Sequence, residues 1–319
     1  MRIHRRVRVI FRQRVLVALL ILAQFALIGY SIFSNSLVSD IVRGGVTLTS
    51  FFVGLHIFMS KNKPAYKITL LVLITAFPLF GGVFYLLYKG DVIWRSMYKR
   101  SKEVNNKSLG HFKLSESAAT EAKCEMPEFS TQISYLDGTL GFPIYKNTDT
   151  EYFPSGERMF DALCRELEKA EKYIFLEFFI IKEGKMWNAI EEILVKKAAV
   201  GIDVRVVYDD MGSAGGFSQR KIDELEGSGV KISVFNRFVP FISSSQNNRD
   251  HRKIAVIDGK TAFTGGVNIA DEYINELERF GHWKDSGVML KGQGAWSFAV
   301  MFLRMWSLCC KTSEDYEAY

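Results

Sequence analysis

Hydrophobic residues are concentrated in the first part of the chain. Residues 15–33 and 68–88 carry no charge and are mostly apolar. Each run is long enough to cross the hydrocarbon core of a bilayer as a helix. The second run contains Pro78, which membrane helices tolerate better than helices in water. The pattern therefore predicts two transmembrane helices.

A weaker apolar stretch, residues 44–59, lies between these two runs. It contains His56 and several hydroxyl side chains, and Arg43 stands at its edge. The stretch is either a third span or an interfacial segment, and the sequence leaves both open. We predict a membrane anchor over residues 1–92 with two or three transmembrane helices.

The remainder of the chain has the pattern of an α/β domain. Residues 93–130 are polar, with several Lys, Ser and Glu, which predicts a tether. Beyond them, apolar residues alternate between helical and strand-like spacing. Helices are predicted over 156–170, 186–199, 219–225 and 295–308, and strands over 173–181, 202–208 and 230–235. This order predicts an α/β lobe over 131–319, a mixed sheet flanked by helices.

A strand–turn–strand pattern follows in this lobe. The apolar residues 254–257 predict a central strand, and Asp258–Gly259 is a hairpin signal. Residues 262–264 supply the returning strand. Alternation along a strand places His251 and Lys253 on one side of the sheet. An imidazole beside an ammonium suits a phosphate, which the Lys can hold while the His attacks it.

The returning strand ends in a second polar group. The hairpin brings Gly265, Gly266 and Asn268 back near the start of the first strand. Two glycines let backbone N–H groups approach an anion closely. The Asn amide adds a neutral donor. The pattern therefore predicts a phosphate-binding site built from both strands.

Charge and cysteine content narrow the function class. The net charge is +6, and six arginines precede the first apolar run. Beside a membrane segment they indicate topology and anionic lipid contact rather than nucleic acid. They place the N-terminus in the cytoplasm, and basic residues after residue 88 favour a cytoplasmic lobe, although three full spans would place it outside. The four cysteines form no CxxC pair, so neither a disulfide framework nor a zinc site is expected.

Together these motifs resemble a known signature. His251-x-Lys253-x4-Asp258, followed by Gly265-Gly266-x-Asn268, resembles the motif of the phospholipase D superfamily. Further segments resemble bacterial cardiolipin synthases: FLEFF at 175–179, YDDMGS at 208–213, 268–273, WKD at 283–285, and the apolar N-terminal block, which is similar to that family's membrane anchor. The resemblance implies a phospholipase D-like lobe behind a multi-pass anchor in the cell membrane.

The resemblance also implies a chemistry. A family His attacks the substrate phosphorus and forms a phosphohistidine, and a second His protonates the departing alcohol and then deprotonates the incoming one. Cardiolipin synthases join two phosphatidylglycerol molecules and release glycerol. No metal and no cofactor is implied. The expected partners are phosphatidylglycerol and anionic membrane lipid, and no nucleic acid.

The roles implied by the resemblance fall on named positions. His251 would be the nucleophile or the acid–base, and Lys253 and Asn268 would bind phosphate oxygens beside Gly265 and Gly266. Asp285 matches a carboxylate that orients the His of the opposite motif. Two further carboxylates are less specific. Asp258 is either catalytic or a structural turn residue, and Glu177, on a buried strand, is expected to support the site.

The sequence contains one HxKxxxxD motif, whereas the implied mechanism uses two histidines. Three accounts are open: two copies of the chain pair around a twofold axis, a separate chain supplies the second motif, or the chain is a truncated and inactive half-enzyme. A hydrolase, either a phospholipase or a membrane-tethered nuclease, is the alternative to the transferase. It differs in having water as the second attacking group.

Overall fold

The computed structural model describes residues 19, 21–26, 29–30, 33, 36–61, 63–77, 81, 85, 92–112, 117–238, 248–279 and 281–319. The chain forms two compact units. One comprises Met1–Ser96 with Val239–Asn247, and the other Met97–Phe238 with Asn248–Tyr319. Each unit is described by itself below.

The longest apolar helix described in the first unit is α1 (Leu37–Met59). At 23 residues it is the one described helix long and apolar enough to cross a membrane, and its apolar window is only 6% buried. The prediction began this segment at residue 44, whereas the helix begins at Leu37. Asp40 and Arg43, which interrupt the apolar pattern, pair at 3.7 Å across one turn. The opposite charges offset each other there, and the helix continues through them.

The second predicted run is helical in its first part. Helix α2 covers Pro64–Ala76, with Pro64 in its first turn, and its Leu70 and Ile74 are buried with Ile57 of α1. The rest of run 68–88 is described only at residues 77, 81 and 85. Run 15–33 is described at residues 19, 21–26, 29–30 and 33, which are helical; that it spans a membrane stays a prediction.

The polar stretch 93–130 is folded rather than extended. It contains α3 (Val92–Ser108), a 3-10 turn (Leu109–Phe112) and α4 (Ala118–Glu125). Phe112 is fully buried, and Arg100 donates to the carbonyl of Ser307 at 3.0 Å. The tether expected from composition is therefore corrected, since a few well-spaced apolar residues dock this stretch onto the lobe. A 3-10 turn (Pro127–Phe129), α5 (Ser130–Ser134) and a π-helical turn (Tyr135–Leu140) follow.

A seven-stranded sheet forms the centre of the second unit's described part. The strands are β1 (Thr148–Phe153), β2 (Tyr173–Phe178), β3 (Asp203–Asp209), β4 (Lys231–Phe235), β5 (Lys253–Ile257), β6 (Thr261–Gly265) and β7 (Gly287–Gly292). Their spatial order is β1-β7-β6-β5-β2-β3-β4. Strands β2, β3 and β4 are parallel, and the β2–β5, β5–β6, β6–β7 and β1–β7 pairs are antiparallel. The sheet is mixed, as predicted.

Helices cover both faces of this sheet. On the α6/α7 face, α6 (Gly156–Leu167) and α7 (Lys185–Ala199) pack on Ile174, Leu176 and other buried side chains, and Leu225 of α8 (Gln219–Gly227) joins the same core. On the α9 face, α9 (Ala295–Cys310) covers Phe175, Val256 and neighbours. Short 3-10 turns occur at Asp271–Ile274 and Tyr316–Ala318.

The predicted helices and strands of the lobe are confirmed, with ends shifted by a few residues. Two strands were not predicted. Strand β1, at the edge of the sheet, is largely exposed, so it lacks the alternation of a half-buried strand. Strand β7 pairs with it and with β6.

Candidate functional site

The topology gathers the predicted polar residues at one edge of the sheet. Strand β5 runs antiparallel to β2, with Lys253 opposite Phe178, so β5 begins where β2 ends. In the hairpin Ile254 pairs with Thr264, so β6 ends at the same edge, and β7 begins there opposite Gly265. We call this the His251 edge. Residues that follow β2 and β6, or precede β5 and β7, meet here.

His251 and Lys253 differ sharply in exposure. His251 is exposed, and its ring centroid lies 4.8 Å from that of Phe179. Lys253 is only 4% exposed, and its Nζ donates to the carbonyl oxygen of His251 at 2.8 Å. Among the described residues no carboxylate forms an ion pair with Nζ. A buried ammonium without an ion pair is costly, and an anion bound at Nζ would reduce that cost.

Burial lowers the pKa of Lys253, while the negative charges of Asp250 and Asp285 act in the opposite direction. The Nζ also lies 5.4 Å from the centre of the Phe179 ring, within range of a cation–π attraction. The ammonium is therefore held in one place by a carbonyl oxygen and an aromatic face, both neutral groups.

Gly266 makes room for a carboxylate. A Cβ on Gly266 would lie 1.9 Å from Oδ1 of Asp285, so no other residue fits there without displacing that side chain. Asp285 is fixed by the N–H of Ser286 at 2.8 Å and by the indole of Trp283 at 3.4 Å. The N–H of Gly266 donates to the carbonyl of Ser286 at 3.0 Å. This N–H, which we expected to face an anion, is used within the fold.

Asn268 is 2% exposed and bridges two segments. Its Oδ1 accepts from the N–H of Ile180 at 3.0 Å, and its Nδ2 donates to the hydroxyl of Tyr273 at 2.7 Å. The amide nitrogen has two hydrogens, and Tyr273 takes one of them. The second hydrogen is available for another acceptor.

Asp258 does not join the other predicted residues. It follows the last residue of β5, five residues of strand away from the His251 edge, which is roughly 17 Å at the usual rise. Its carboxylate accepts from the N–H groups of Glu171, Lys172 and Tyr173, each at 2.8 Å, and its backbone has a positive φ of 53°. Of the two roles left open by the sequence, this geometry fits the structural one, and the direct catalytic role has no geometric basis.

Glu177 lies on the opposite face from His251 and Lys253, in a buried charged group. Its side chain is fully buried, and Oε1 lies 2.7 Å from Nε of Arg252. The same Nε lies 3.1 Å from Asp250. Burial raises the pKa of Glu177 well above its usual range; the charge of Arg252 opposes this, and Asp250 adds to it. Glu177 thus contacts the residue that follows His251, which fits a supporting role.

Two supporting residues, Asp209 and Ser213, are not indicated by the sequence motifs. Asp209, fully buried at the end of β3, accepts from the N–H of Asp250 at 3.1 Å and also from Met211 and Gly212. Ser213 accepts from Ile181 at 2.9 Å and donates to Phe179 at 3.2 Å. These contacts bind the segments on either side of the His251 edge to each other. The YDDMGS resemblance marked this segment, but no pattern assigned its roles.

A comparison with family models identifies the class of the lobe. Residues 163–291 match the family described as "Cardiolipin synthase, PLD-like domain". They include β2 to β6, His251, Lys253, Asn268 and Asp285. The α/β lobe is therefore a phospholipase D-superfamily domain. Within the described residues, no group of three or more His, Cys, Asp and Glu side chains is placed to hold a metal ion.

Relatives give the narrower identification. The chain is 44% identical over 263 residues to an uncharacterized protein of Streptococcus mutans, covering 82% of this chain and 56% of that one. It is 32% identical over 265 residues to a cardiolipin synthase of Geobacillus sp., covering 82% and 52%. The chain is a cardiolipin synthase-like member of the phospholipase D superfamily. It spans about half the length of the curated relatives it matches.

Among solved structures, the phospholipase D family member Nuc from Salmonella typhimurium resembles this chain with a TM-score of 0.39 and 19% identity. The likeness covers 51% of this chain and 95% of that one.

Proposed function

We propose that this chain carries one half of the active site of a membrane-bound phosphatidyltransferase, which forms cardiolipin from two phosphatidylglycerol molecules. The observation that carries the proposal is the exposed His251 above a buried Lys253 that lacks a carboxylate partner, in a lobe similar to those of cardiolipin synthases. Exposure suits a nucleophile that must reach a lipid headgroup. The uncompensated ammonium suits the phosphate that the nucleophile attacks.

In the first step an imidazole nitrogen of His251 attacks the phosphorus of one phosphatidylglycerol. The bond from phosphorus to the headgroup glycerol breaks, and the phosphatidyl group stays on the imidazole. The leaving glycerol takes a proton from a second histidine. Covalent catalysis of this kind divides one difficult displacement into two easier ones.

Lys253 and Asn268 stabilise the charge on the phosphoryl oxygens during this step. Both side chains are buried and held by protein partners, so little reorganisation is needed when the phosphate arrives. Gly266 serves the site by admitting Asp285, whereas Gly265 allows the close approach of the Ser286 backbone. In this proposal Asp285 orients the second histidine.

In the second step the hydroxyl of a second phosphatidylglycerol headgroup attacks the phosphohistidine. The second histidine accepts its proton, the phosphorus–nitrogen bond breaks, and cardiolipin is released. We propose that a second motif, from another copy of this chain or from a separate chain, supplies that histidine. Its protonation state must be opposite to that of His251 at the start.

The test uses proteoliposomes that contain only the full-length chain and phosphatidylglycerol labelled in its acyl chains and, with a second isotope, in its headgroup glycerol. The expected result is labelled cardiolipin with an equal amount of free glycerol. His251→Ala should lower the rate by at least about a thousandfold, as loss of a covalent nucleophile does. The matched control is His111→Gln, because His111 stacks on Tyr316 on the α9 face, away from the His251 edge.

Mixing experiments separate the sources of the second histidine. If two copies of His251 face each other, adding the His251→Ala chain should lower the activity per wild-type chain. If wild type alone is inactive but gains activity with a candidate partner chain, a separate chain supplies the motif. Phosphatidic acid without cardiolipin would instead identify a hydrolase. A folded chain that gives no lipid product under any of these conditions would refute the proposal and leave an inactive half-enzyme.

We further propose that residues 1–92 anchor the chain by more than one span and that the lobe faces the cytoplasm. The support is the apolar helix α1, the run 68–88 and the basic residues that follow it. Cys124 is a free, exposed cysteine of the lobe and a natural probe. A membrane-impermeant maleimide should label it only after permeabilisation, and Cys124→Ser is the control. Labelling of intact cells would place the lobe outside.

A further inference from the structure

The α9 face contains a cavity that the proposed mechanism does not use. It has a volume of about 460 Å³ and is lined by α3, the turn that follows it, residues 140–142, Arg252 and α9. Alternation along β5 directs Arg252 to the opposite side of the sheet from His251 and Lys253. The cavity therefore lies away from the His251 edge, and its volume is in the range of ordinary ligand sites.

Two guanidinium groups, of Arg252 and Arg304, line this cavity, and the described residues of its lining include no Asp or Glu. Arg252 already contacts Glu177 and Asp250, and Asp250 offsets its charge. Arg304 is half-buried, and its guanidinium lies 5.2 Å from the centre of the Phe112 ring. No carboxylate in the described part of the chain pairs with it. The cavity thus has an excess positive charge.

The environment of the Arg304 guanidinium also favours a bound anion. Burial lowers the pKa of Arg304; the charge of Tyr316 opposes this, and the positive charge of Arg252 adds a smaller lowering. Arginine stays protonated in proteins nonetheless. The charge is held where desolvation and a like charge both disfavour it, and a bound anion would relieve both costs.

The rest of the lining is largely apolar. Val104, Leu109, Phe142 and Leu308 supply hydrocarbon surface, and Ser101 and Asn105 supply polar atoms. A small inorganic anion would satisfy the arginines but leave the apolar wall in contact with water. A ligand that combines an anionic group with hydrocarbon would use both surfaces.

We propose that this cavity binds an acidic phospholipid, with its phosphodiester at Arg304 and Arg252 and the first part of its acyl region along the apolar wall. The site is separate from the catalytic edge and does not depend on transfer activity. It gives the chain a second place to hold lipid of the class that the proposed reaction uses.

The experiment uses the full-length chain with His251→Ala in detergent, so that no turnover occurs and failure of the proposed function has no effect on the result. Dihexanoyl phosphatidylglycerol, dihexanoyl phosphatidylcholine and inorganic phosphate are titrated separately. Native mass spectrometry measures how much ligand is bound, and hydrogen exchange locates it. We expect phosphatidylglycerol to slow exchange in α3 and α9 at concentrations at least tenfold below those at which phosphatidylcholine or phosphate does.

Variants of Arg304 decide the assignment. Arg304→Gln should weaken this binding at least tenfold, and Arg304→Lys should weaken it less because the charge remains. Arg220→Gln is the matched control, since Arg220 is exposed on α8. Thermal unfolding of each variant checks that the lobe is folded. Equal binding of the two lipids, unchanged binding in Arg304→Gln, or no protection in α3 and α9 would overturn the proposal, whereas protection at the His251 edge would report the substrate site and not this cavity. Phosphate binding as tightly as the lipid would overturn the lipid part of the proposal.

Discussion

A single HxKxxxxD motif spans both ends of strand β5, and its residues have opposite environments at the two ends. At one end the carboxylate of Asp258 accepts hydrogen bonds from three backbone N–H groups, each at 2.8 Å. Both of its oxygens therefore have partners within the fold. At the other end Lys253 is buried with one carbonyl oxygen as its hydrogen-bond partner, and His251 is exposed with an aromatic contact. One end is saturated with partners and the other lacks them.

The difference shows that one motif can contain residues that stabilise the fold and other residues that are available to a substrate. Partners that satisfy a polar group stabilise the fold and leave that group unavailable to a substrate. Groups that lack partners cost stability and remain available. Mutations at the two ends should therefore separate stability from activity, and the predictions below run from the largest expected effect to the smallest.

Asp258→Ala should destabilise the lobe by about 3 kcal/mol, because three hydrogen bonds to a charged acceptor are lost while water replaces part of them. Asp258→Asn should lose less, since the amide oxygen still accepts and Asn tolerates a positive φ. Urea unfolding of the full chain in detergent, followed by tryptophan fluorescence, measures this. If Asp258→Ala keeps wild-type stability and loses transfer, Asp258 is catalytic after all.

Gly266→Ala should destabilise the lobe by about 2 kcal/mol, because the new Cβ overlaps a carboxylate oxygen of Asp285. Cardiolipin formation should fall as Asp285 is displaced. Gly227→Ala is the control, since a Cβ there meets nothing within 4 Å. The double variant Gly266→Ala/Asp285→Ala should be less destabilised than the sum of the two single variants. Additive losses would show that the overlap is not the cause.

Lys253→Met should abolish transfer and yet stabilise the lobe by about 1 kcal/mol, because a buried ammonium that has no ion pair is replaced by a hydrocarbon side chain of similar size. The folded-state pKa of Lys253 is lowered, so wild-type stability should rise as the pH rises through that pKa towards 10.5, and the variant should lack this rise. Lys260→Met, at an exposed position of the same hairpin, is the control. A destabilised Lys253→Met would mean that the ammonium is better compensated than its contacts indicate.

Glu177→Gln should have the smallest effect, and that effect should depend on pH. The pKa of Glu177 is raised in the fold, so the native chain keeps a proton that the unfolded chain loses above pH 4.5. Wild-type stability therefore falls as the pH rises through this window, whereas the contribution of Gln is constant. The difference in unfolding free energy between variant and wild type, measured at pH 5 and pH 8, should shift in favour of the variant at pH 8. No shift would mean that Glu177 is ionised in both states.

The lobe was largely predictable because burial leaves a strong pattern. Strand β2 is buried at all six positions, and α6 has clear helical spacing. Strand β1 and helix α4 were missed because they are short and largely polar, and only the tertiary contact with β7 or Ile133 stabilises them. The sequence predicts helix α1 too short because Arg43 interrupts the apolar pattern, and the ion pair with Asp40 that offsets its charge is visible only in the structure.

The sequence predicts which residues form the site better than it predicts what each residue does there. Hairpin geometry alone placed His251, Lys253 and Asn268 together. It could not show that the Gly266 N–H is used within the fold, because that depends on β7. Nor could it show Asp209 supporting the backbone of Asp250, since the two residues are far apart in sequence and no pattern links a strand end to a distant loop.

The β5–β6 hairpin also has a consequence for the order in which the molecule assembles. Its pairs join neighbouring residues, such as Ile257 with Thr261, whereas the β2–β5 pairing joins Phe178 to Lys253 across a long intervening chain. Hairpins form within about 1–10 μs, and distant strand pairings wait on a costly loop closure. We therefore expect His251, Lys253 and Gly265 to acquire their relative positions early in folding, before the rest of the sheet forms around them.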